Sequence, residues 1–281
     1  MRWDSPVRGM VTRFVSSGQK GQIQMRIIVL GATGTIGTKV TKYLNTAGHE
    51  VIQASRSHGV NAATGSGLHQ TLADADIAID CLNIETFSTK TATSFFAKTT
   101  HNVVNAARRM NTRHTICISI AGASDPKVNA GNGYYQGKAV QEKIYRASGL
   151  PVTIVHSTQW FELIDNLVQG VSFGPVTILP TMRMAPIAAD SVASRVAKYA
   201  TDDPPSGVQE IALRGPEIAT GAELARAILA ARGSVGGRRP WLVKELPFLG
   251  HATATDGLIP RDAIIDEVTL EDWLRDNAET T

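Results

Sequence analysis

The chain has 281 residues, of which 43% are hydrophobic and 19% are charged, enough apolar material for a buried core of one or two domains. With a net charge of +3, it lacks the basic stripe of nucleic-acid-binding proteins. No apolar run approaches the about 20 residues that a membrane-spanning helix needs. Cys81 and Cys117 lie in apolar runs, which favours reduced core thiols and a cytoplasmic location over a disulfide framework.

The first 24 residues form a basic segment, with four basic side chains against one acidic. The segment lacks the apolar core, of about 7–15 residues, that defines a secretory signal. We predict a mobile extension ahead of an alternative translation start at Met25, because the first strand begins at Arg26. A transit peptide is the alternative, since such peptides share part of this composition.

From Met25 onward, apolar runs alternate with helical patterns. The predicted elements are strands over 26–30, 50–55, 77–82, 114–120 and 150–157, and helices over 35–48, 94–110 and about 134–148. This alternation predicts βαβ units and a parallel sheet. The continuous apolar runs are typical of strands buried on both faces. We therefore predict an α/β fold with a Rossmann-type doubly wound parallel sheet.

After residue 157 the alternation is less regular. The predicted elements there are a helix from Asp190, loops over 202–207 and 233–240, a helix over 223–232 and a final short helix with Thr269 as its N-cap. We predict that residues 25–281 form a single domain. In that domain, residues 159–189 and 214–268 would form a small C-terminal elaboration on the substrate side.

The first strand–helix junction reads GATGTIG, residues 31–37. In such a junction the first glycine permits a tight turn, a middle one lets phosphate approach the backbone, and the last allows close helix–strand packing. The free N–H groups at the start of the helix add an anion site. Gly31, Gly34 and Gly37 supply this pattern as G-x-x-G-x-x-G. Its position between a strand and a helix favours dinucleotide binding over a turn without a ligand.

The end of the second strand indicates which dinucleotide binds. NAD-binding chains place Asp or Glu about 20 residues after the glycines, but here the sequence is ASRSHG, with Ser55 and Arg56. A carboxylate would repel a 2′-phosphate, whereas Arg56 can pair with it through charge-assisted hydrogen bonds. We predict NADP(H) in preference to NAD(H). An ordinary solvated arginine is the alternative.

A third motif lies in NGYYQGKAVQEK, residues 132–143. Tyr134 and Lys138 are four residues apart and would share one face of a helix. An ammonium beside a phenol favours the phenolate and can tune it as a proton donor near neutral pH. Ser119, at the end of the preceding strand, would lie beside both. These three are the candidate catalytic residues. The alternative is that Tyr134 packs in the core and Lys138 is solvated.

Several segments together resemble the NmrA-like atypical short-chain dehydrogenases/reductases, and within them the bacterial NAD(P)H-binding oxidoreductases. The matching segments, spread over residues 25–275, are GATGTIG, ASRSHGV, SIAGAS, YYQGKAVQEKI, SGLPVTIVHSTQWFE, LRGPE and EDWL. The resemblance implies a Rossmann fold and a bound nicotinamide dinucleotide. Because some members of this group bind the cofactor without turnover, it implies the fold and the cofactor more strongly than the chemistry.

The resemblance also implies roles for individual residues. The pyrophosphate-binding residues would be Gly31, Thr33, Gly34, Thr35, Ile36 and Gly37. Arg56 would bind the adenosine phosphate, Asn83 would line the adenosine side, and Lys138 would hydrogen-bond the nicotinamide ribose. Thr158 and Gln159 would border the nicotinamide.

Other candidates for chemistry are few. The histidines show no metal-ligand spacing, so no metal site is predicted. His156 stands out because it ends a strand whose carboxyl edge would face the cofactor. Trp160 and Phe161 either form an apolar wall over the nicotinamide or pack the C-terminal part. The apolar stretches 182–187 and 247–250 are predicted to line the substrate pocket.

Two functions from different classes follow. The first is an NADPH-dependent reductase that passes hydride to a small, largely apolar carbonyl, enone or quinone, while Tyr134, tuned by Lys138, or a water supplies the proton. The second is a non-catalytic NADP(H)-binding redox sensor. A nucleotide-sugar epimerase or dehydratase is a third option, disfavoured because the C-terminal portion is short. The expected partner is a small-molecule substrate, with neither nucleic acid nor membrane, and a homodimer is allowed.

Overall fold

The computed structural model describes residues 24–86, 88–247 and 249–277. Apart from Gln24, the predicted N-terminal extension lies outside the described residues, as does Phe248 of the predicted wall over 247–250. Within the described ranges, no helix combines the length and the apolar character that crossing a bilayer demands.

The strands and helices follow the predicted alternation through residue 157. The strands are β1 (Arg26–Leu30), β2 (Glu50–Ala54), β3 (Ile77–Asp80), β4 (His114–Ile120), β5 (Val152–Ser157), β6 (Ser172–Phe173), β7 (Val176–Pro180), β8 (Arg183–Met184), β9 (Val208–Arg214), β10 (Ala219–Thr220), β11 (Leu242–Leu246) and β12 (Ile264–Ile265). The helices are α1 (Thr35–Thr46), α2 (Leu68–Leu72), α3 (Thr89–Met110), α4 (Pro126–Asn129), α5 (Gly133–Arg146), α6 (Leu163–Val171), α7 (Ala189–Thr201), α8 (Gly221–Arg232), α9 (His251–Ala254) and α10 (Leu270–Asp276).

Seven strands of the described chain form the central sheet, in the order β12-β9-β5-β4-β3-β1-β2, and every neighbouring pair is parallel. Helices α1 and α7 cover one face, where Val40 and Val196 join the core. Helices α2, α3 and α5 cover the other, where Val103 and Tyr145 do so. The predicted doubly wound α/β fold is confirmed.

The C-terminal elements build a smaller unit beside the carboxyl edge of the sheet. Strands β11, β7 and β6 form a three-stranded sheet, and β8 pairs with β10. A third core cluster joins Phe161, Ile164 of α6, Leu224 of α8 and Trp273 of α10. The predicted N-cap at Thr269 is present as a capping box with Asp272.

The structure corrects two boundaries. Helix α3 begins at Thr89, five residues earlier than predicted, with the Ser88 side chain accepting a hydrogen bond from the Thr91 N–H. Its first turns are polar and largely exposed, so hydrophobic periodicity does not mark them. Strand β3 ends at Asp80, so Cys81 follows the strand and does not lie within it.

Candidate functional site

A cavity of about 260 Å³ lies at the carboxyl ends of β1, β3, β4 and β5. The helix after β1 covers one face of the sheet and the helix after β3 covers the other, so the cavity sits where the winding reverses. Ligands of open α/β sheets bind at this position. The predicted site residues that line the cavity are Gly34, Thr35, Ile36, Asn83, Ser119, Tyr134, Lys138, Thr158 and Gln159.

The glycine turn has the geometry that its spacing predicts. Gly31 has a φ of 72°, and a Cβ there would lie 2.8 Å from the Cys81 carbonyl oxygen. A Cβ on Gly37 would lie 2.3 Å from the Gly31 carbonyl oxygen, so no other residue allows this close helix–strand approach. Gly34 is the N-cap of α1, and among the described residues no side chain caps this end. The first N–H groups of α1 are therefore free to bind an anion.

Arg56 lies beyond β2, in a single 3₁₀ turn over Arg56–His58. The Gly31 N–H donates to the Ala54 carbonyl at 2.9 Å, which holds the end of β2 beside the glycine turn. The Arg56 side chain is exposed, and Ser55 Oγ lies 2.7 Å from Ser57 Oγ. Neither Ser55 nor Arg56 lines the cavity.

Thr158 and Gln159 directly follow β5, and both line the cavity. Thr158 Oγ1 donates to the Ala185 carbonyl at 2.5 Å, and Gln159 Nε2 donates to the Tyr135 hydroxyl at 2.7 Å. Gln159 Oε1 is buried and has no hydrogen-bond partner among the described residues. An unpartnered acceptor in this wall matches the amide N–H of a nicotinamide. Together with the glycine turn, it shows that these residues fit a nicotinamide dinucleotide.

Lys138 is a buried residue of the cavity wall, and its ammonium already has partners. Nζ donates to the Ile118 carbonyl at 2.9 Å and to Gln141 Oε1 at 3.0 Å, and it lies 4.6 Å from the centre of the Phe96 ring. Gln141 Nε2 donates in turn to Asp80 Oδ2 at 3.0 Å. Burial lowers the pKa of Lys138, although neighbouring anionic groups, Asp80 among them, oppose this effect.

Tyr134 shares the cavity wall with Lys138 but is not tuned by it as predicted. Burial raises the pKa of the Tyr134 phenol, and the nearby Glu85 carboxylate raises it further. The expected ammonium partner is directed at Ile118 and Gln141 instead. The phenol is therefore neutral at physiological pH and keeps its proton.

Ser119 lines the cavity with its hydroxyl turned towards the helix behind the sheet. Ser119 Oγ donates to Glu142 Oε1 at 2.5 Å, and Glu142 is 0% exposed. His156, opposite Ser119 in the β4–β5 register, places Nδ1 3.1 Å from the same oxygen. His156 thus contacts Glu142 of α5 and does not line the cavity.

Three further polar residues near the site, Asp80, Gln141 and Glu142, were not among the predicted ones. All three are 0% exposed, and the two helical residues face the sheet from α5 alongside Lys138. Their spacing from Lys138, three and four residues, places Gln141 and Glu142 on the same helix face, but only the packing of α5 shows that this face is buried.

Trp160 and Phe161, which are adjacent in sequence, lie in different surroundings. Trp160 lines the cavity, and its Nε1 donates to Ser157 Oγ at 2.9 Å. Phe161 instead packs in the C-terminal core against Trp273, with ring centres 5.3 Å apart. Residues 182–187 do not line this cavity, and Met184 and Ile187 are buried core residues. That this stretch lines a substrate pocket stays a prediction.

Comparison with known proteins identifies the family and the fold. The family model for NAD(P)H-binding proteins matches residues 31–203, whereas no curated protein gives a significant match. A nucleoside-diphosphate-sugar epimerase from Staphylococcus aureus is 17% identical, with a TM-score of 0.64 over 89% of this chain and 100% of that one. A UDP-N-acetylglucosamine 4-epimerase from Bacillus cereus is 16% identical, with a TM-score of 0.61 over 88% and 99%.

A short-chain dehydrogenase/reductase superfamily protein from Agrobacterium tumefaciens, with bound NAD, is 15% identical, with a TM-score of 0.63 over 90% of this chain and 96% of that one. These coverages overturn the argument that the C-terminal portion is too short for a nucleotide-sugar enzyme, because the chain spans the two epimerases almost completely. At these identities the likeness shows the fold alone. With more than half of its residues in the matched segment, the chain belongs to the NAD(P)H-binding family and has the Rossmann fold of the short-chain dehydrogenases/reductases.

Proposed function

We propose that the protein is an NADPH-dependent oxidoreductase of the NmrA-like kind, which transfers hydride to a small, largely apolar carbonyl, enone or quinone. The observation that carries the proposal is that one cavity joins the start of α1 to Ser119, Tyr134 and Lys138. A phosphate-binding turn alone would serve a binding protein as well. A wall of hydroxyl and ammonium groups beside it supports chemistry.

In this proposal, different residues bind the pyrophosphate, the adenosine side and the nicotinamide side of the cofactor. Gly31, Thr33, Gly34, Thr35, Ile36 and Gly37 hold the pyrophosphate, Ser55, Arg56 and Asn83 hold the adenosine side, and Lys138, Thr158 and Gln159 hold the nicotinamide side. The chemistry supplied by the reduced nicotinamide is donation of a hydride. The Tyr134 phenol, neutral in this setting, donates a hydrogen bond to the acceptor oxygen, and Ser119 lies on the same wall.

The apolar part of the wall supports an apolar acceptor. Its apolar lining residues include Ile36, Ile118, Ile120 and Trp160. The Lys138 ammonium donates two hydrogen bonds, one to the Ile118 carbonyl and one to Gln141 Oε1. Among the lining residues no other cation is present, while Glu85 adds a carboxylate. A carboxylate-bearing acceptor would meet repulsion here, whereas a neutral one would not.

A redox sensor without turnover is the second candidate. The observation that favours it is the state of Tyr134, whose pKa is raised by burial and by Glu85 and not lowered by Lys138. A sensor must bind NADPH and NADP⁺ with different affinities, because a ligand that binds both states equally shifts nothing.

The deciding experiment follows NADPH oxidation at 340 nm with a panel of quinones, enones and aromatic aldehydes, plus a nucleotide sugar to represent the structural neighbours. NADPH binding is measured by fluorescence for the wild type and for Tyr134→Phe. We expect turnover with the apolar acceptors, about tenfold slower in Tyr134→Phe, because a positioned hydrogen bond to the reacting oxygen is lost.

The control is Tyr199→Phe on α7, whose hydroxyl has no partner among the described residues and lies outside the cavity. It should leave both turnover and binding unchanged. Tight NADPH binding with no NADPH oxidation on any acceptor would contradict the reductase and favour the sensor. Turnover of the nucleotide sugar alone would contradict an apolar acceptor and indicate a nucleotide-sugar substrate.

A further inference from the structure

A continuous series of polar side chains leads from the cavity to the protein surface behind β4 and β5. Ser119 Oγ lies 2.5 Å from Glu142 Oε1, and the same oxygen lies 3.1 Å from His156 Nδ1. His156 Nε2 lies 2.8 Å from Glu210 Oε2. Side-chain exposure rises along the series, from 0% at Glu142 to 16% at His156 and 41% at Glu210. One end therefore touches the cavity and the other touches solvent.

Glu142 is the buried carboxylate at the centre of this series, and burying a carboxylate costs free energy that a purely structural role does not explain. Burial raises the pKa of Glu142, but hydrogen bonds and charge from His156 together with the hydroxyls of Ser119 and Ser124 outweigh it and lower the pKa to about 2. Arg146 Nη2 adds an ion pair with Glu142 Oε2 at 3.0 Å. A buried ion pair is on average no more stabilising than an apolar replacement of similar volume. Packing alone therefore does not account for Glu142 at this position.

The surroundings of His156 favour its protonated form. Burial disfavours the imidazolium, yet hydrogen bonds and charge from Glu142 and Glu210 prevail, so the pKa of His156 is raised. The groups around the ring are Glu142 and Arg146 of α5 and Glu210 of β9, with Ser119 of β4 beside it in the sheet. The two carboxylates, which favour a charged imidazolium, outnumber the one guanidinium, which disfavours it.

We propose that Ser119, Glu142, His156 and Glu210 form a proton path between the cavity and solvent, in which Ser119 touches the substrate and the other three act through it. The inference rests on the proposed reductase function and names the source of its proton. Tyr134 then orients the acceptor oxygen, while Ser119 is the group that is resupplied with protons.

A C–H bond forms between the acceptor carbon and the hydride that reduced nicotinamide supplies, and the carbonyl π pair moves to oxygen. The Ser119 hydroxyl, which donates to Glu142 in the structure, rotates towards that oxygen and transfers the Oγ proton to it. Ser119 recovers a proton through the Glu142 carboxylate from His156 Nδ1, and His156 regains one from solvent on the Glu210 side. The acceptor gains one hydride and one proton, NADPH becomes NADP⁺, and the protein is unchanged.

The test compares His156→Ala and His156→Gln with His114→Gln. His156→Gln retains an N–H that can donate to Glu142 but cannot carry a proton, so it separates proton transfer from folding. His114 is the matched control, a buried histidine at the other end of β4 whose Nε2 lies 2.9 Å from Thr153 Oγ1. For both His156 variants we expect kcat to fall about tenfold or more. The NADPH Kd should stay within about twofold, because His156 does not touch the cofactor cavity.

Two readouts separate a proton path from a structural role. Imidazole in the buffer should restore much of the kcat of His156→Ala, and the restoration should grow with the fraction of imidazolium. The ionisation of His156 should vanish from the pH profile of kcat in both His156 variants and persist in His114→Gln. Wild-type kcat in His156→Gln, or rescue of His114→Gln by imidazole to the same extent, would overturn the path.

Calorimetry tests the proton path even if the wild type reduces no acceptor. That lack of reduction would itself contradict the proposed function. NADPH is titrated in two buffers of different ionisation enthalpy at about pH 7.5, above the ordinary imidazole pKa of about 6.5. Filling the cavity with this polyanion should draw a proton onto His156 through the connected groups. We expect proton uptake in the wild type and in His114→Gln and none in His156→Gln. Equal uptake in all three would overturn the path.

Discussion

At the scale of single residues, the unusual feature of this protein is the polar face that α5 turns towards the sheet. Lys138, Gln141 and Tyr145 lie three and four residues apart, all buried, and they converge on Asp80 of β3. Asp80 Oδ2 accepts from Gln141 Nε2 at 3.0 Å and from the Tyr145 hydroxyl at 2.7 Å. The buried ammonium of Lys138 is thus linked to a buried carboxylate through one amide.

Replacement of Asp80 by Asn should be strongly destabilising. The substitution removes the anion that offsets the buried Lys138 ammonium, and breaking such an arrangement costs about 3 kcal/mol or more. Urea denaturation with a conformational probe measures the free energy of unfolding. The matched control is Asp202→Asn, which breaks the exposed pair of Lys198 Nζ and Asp202 Oδ2 at 2.8 Å. That change should cost less than about 0.5 kcal/mol. Equal losses in the two variants would show that Asp80 carries no special charge role.

Arg56 gives a residue-scale prediction about cofactor choice. In Arg56→Asp, a carboxylate replaces the guanidinium expected at the adenosine 2′-phosphate, so the NADPH Kd should rise about tenfold or more. The NADH Kd should change much less, since NADH lacks that phosphate. Fluorescence titration of both cofactors measures the two constants.

The control for this prediction is Arg109→Asp. Arg109 is exposed near the end of α3, which leads into the amino end of β4 and so away from the cofactor edge. The control should leave the ratio of the two constants unaltered. Equal rises for NADPH and NADH in Arg56→Asp would contradict the 2′-phosphate assignment.

The chemistry of single residues also marks what the sequence alone could not predict. Ser119, Tyr134 and Lys138 share one cavity wall because a strand end and the helix after it are near in sequence. Asp80, Glu142 and Glu210 come from distant segments, and only the order and register of the parallel strands bring them to the same face. On a helix viewed in isolation, Gln141 and Glu142 resemble a solvated face, so burial could not be inferred from their polarity.

At the scale of elements, the junction of β1 and α1 is the most predictable part of the molecule. Its function depends on backbone geometry within seven residues, which the glycine spacing encodes locally. The buried strands were likewise predictable, because a strand covered on both faces reads as a continuous apolar run. The start of helix α3 was less predictable, because its first turns are exposed and lack apolar periodicity.

Gly37 tests the close contact of α1 with its own turn. In Gly37→Ala, the new Cβ would lie 2.3 Å from the Gly31 carbonyl oxygen and 2.8 Å from Ala32 Cα, both backbone atoms. The turn must shift, and we expect the NADPH Kd to rise at least about tenfold as the phosphate-binding amides lose their alignment. Fluorescence titration and circular dichroism measure affinity and folding in parallel.

The matched control is Gly170→Ala, also a glycine within a helix, where a Cβ meets nothing within 4 Å. This substitution should leave NADPH affinity unchanged and stabilise α6 by about 0.5–1 kcal/mol, because alanine loses less backbone entropy. Unaltered NADPH affinity in Gly37→Ala would contradict the tight-packing role.

At the scale of the whole molecule, the C-terminal unit is closed by its last helix. Trp273 of α10 is 5% exposed, packs against Phe161 and lies under the Arg232 guanidinium, whose carbon is 4.4 Å from the ring. Phe161 comes directly after the cavity residue Trp160. The last helix therefore supports the chain segment that walls the site.

Trp273→Ala should destabilise the protein by about 3–5 kcal/mol, because a large buried side chain leaves a cavity in the third core cluster. Trp241→Ala is the control: Trp241 is 74% exposed, and its loss should change the free energy of unfolding by no more than about 0.5 kcal/mol. Chemical denaturation measures both. If Trp273→Ala unfolds at the wild-type denaturant concentration, α10 is not required to close the unit.

The dependence of Phe161 on Trp273 has a consequence for synthesis. The strands and glycines of the β1–α1 junction leave the ribosome well before Trp273, the residue that covers Phe161. Because chains fold from the N-terminus as they emerge, the nascent protein can acquire its phosphate-binding half before its substrate half exists. A stop codon shortly before α10 would then yield a chain that captures the nucleotide but lacks a firm wall around the reacting end.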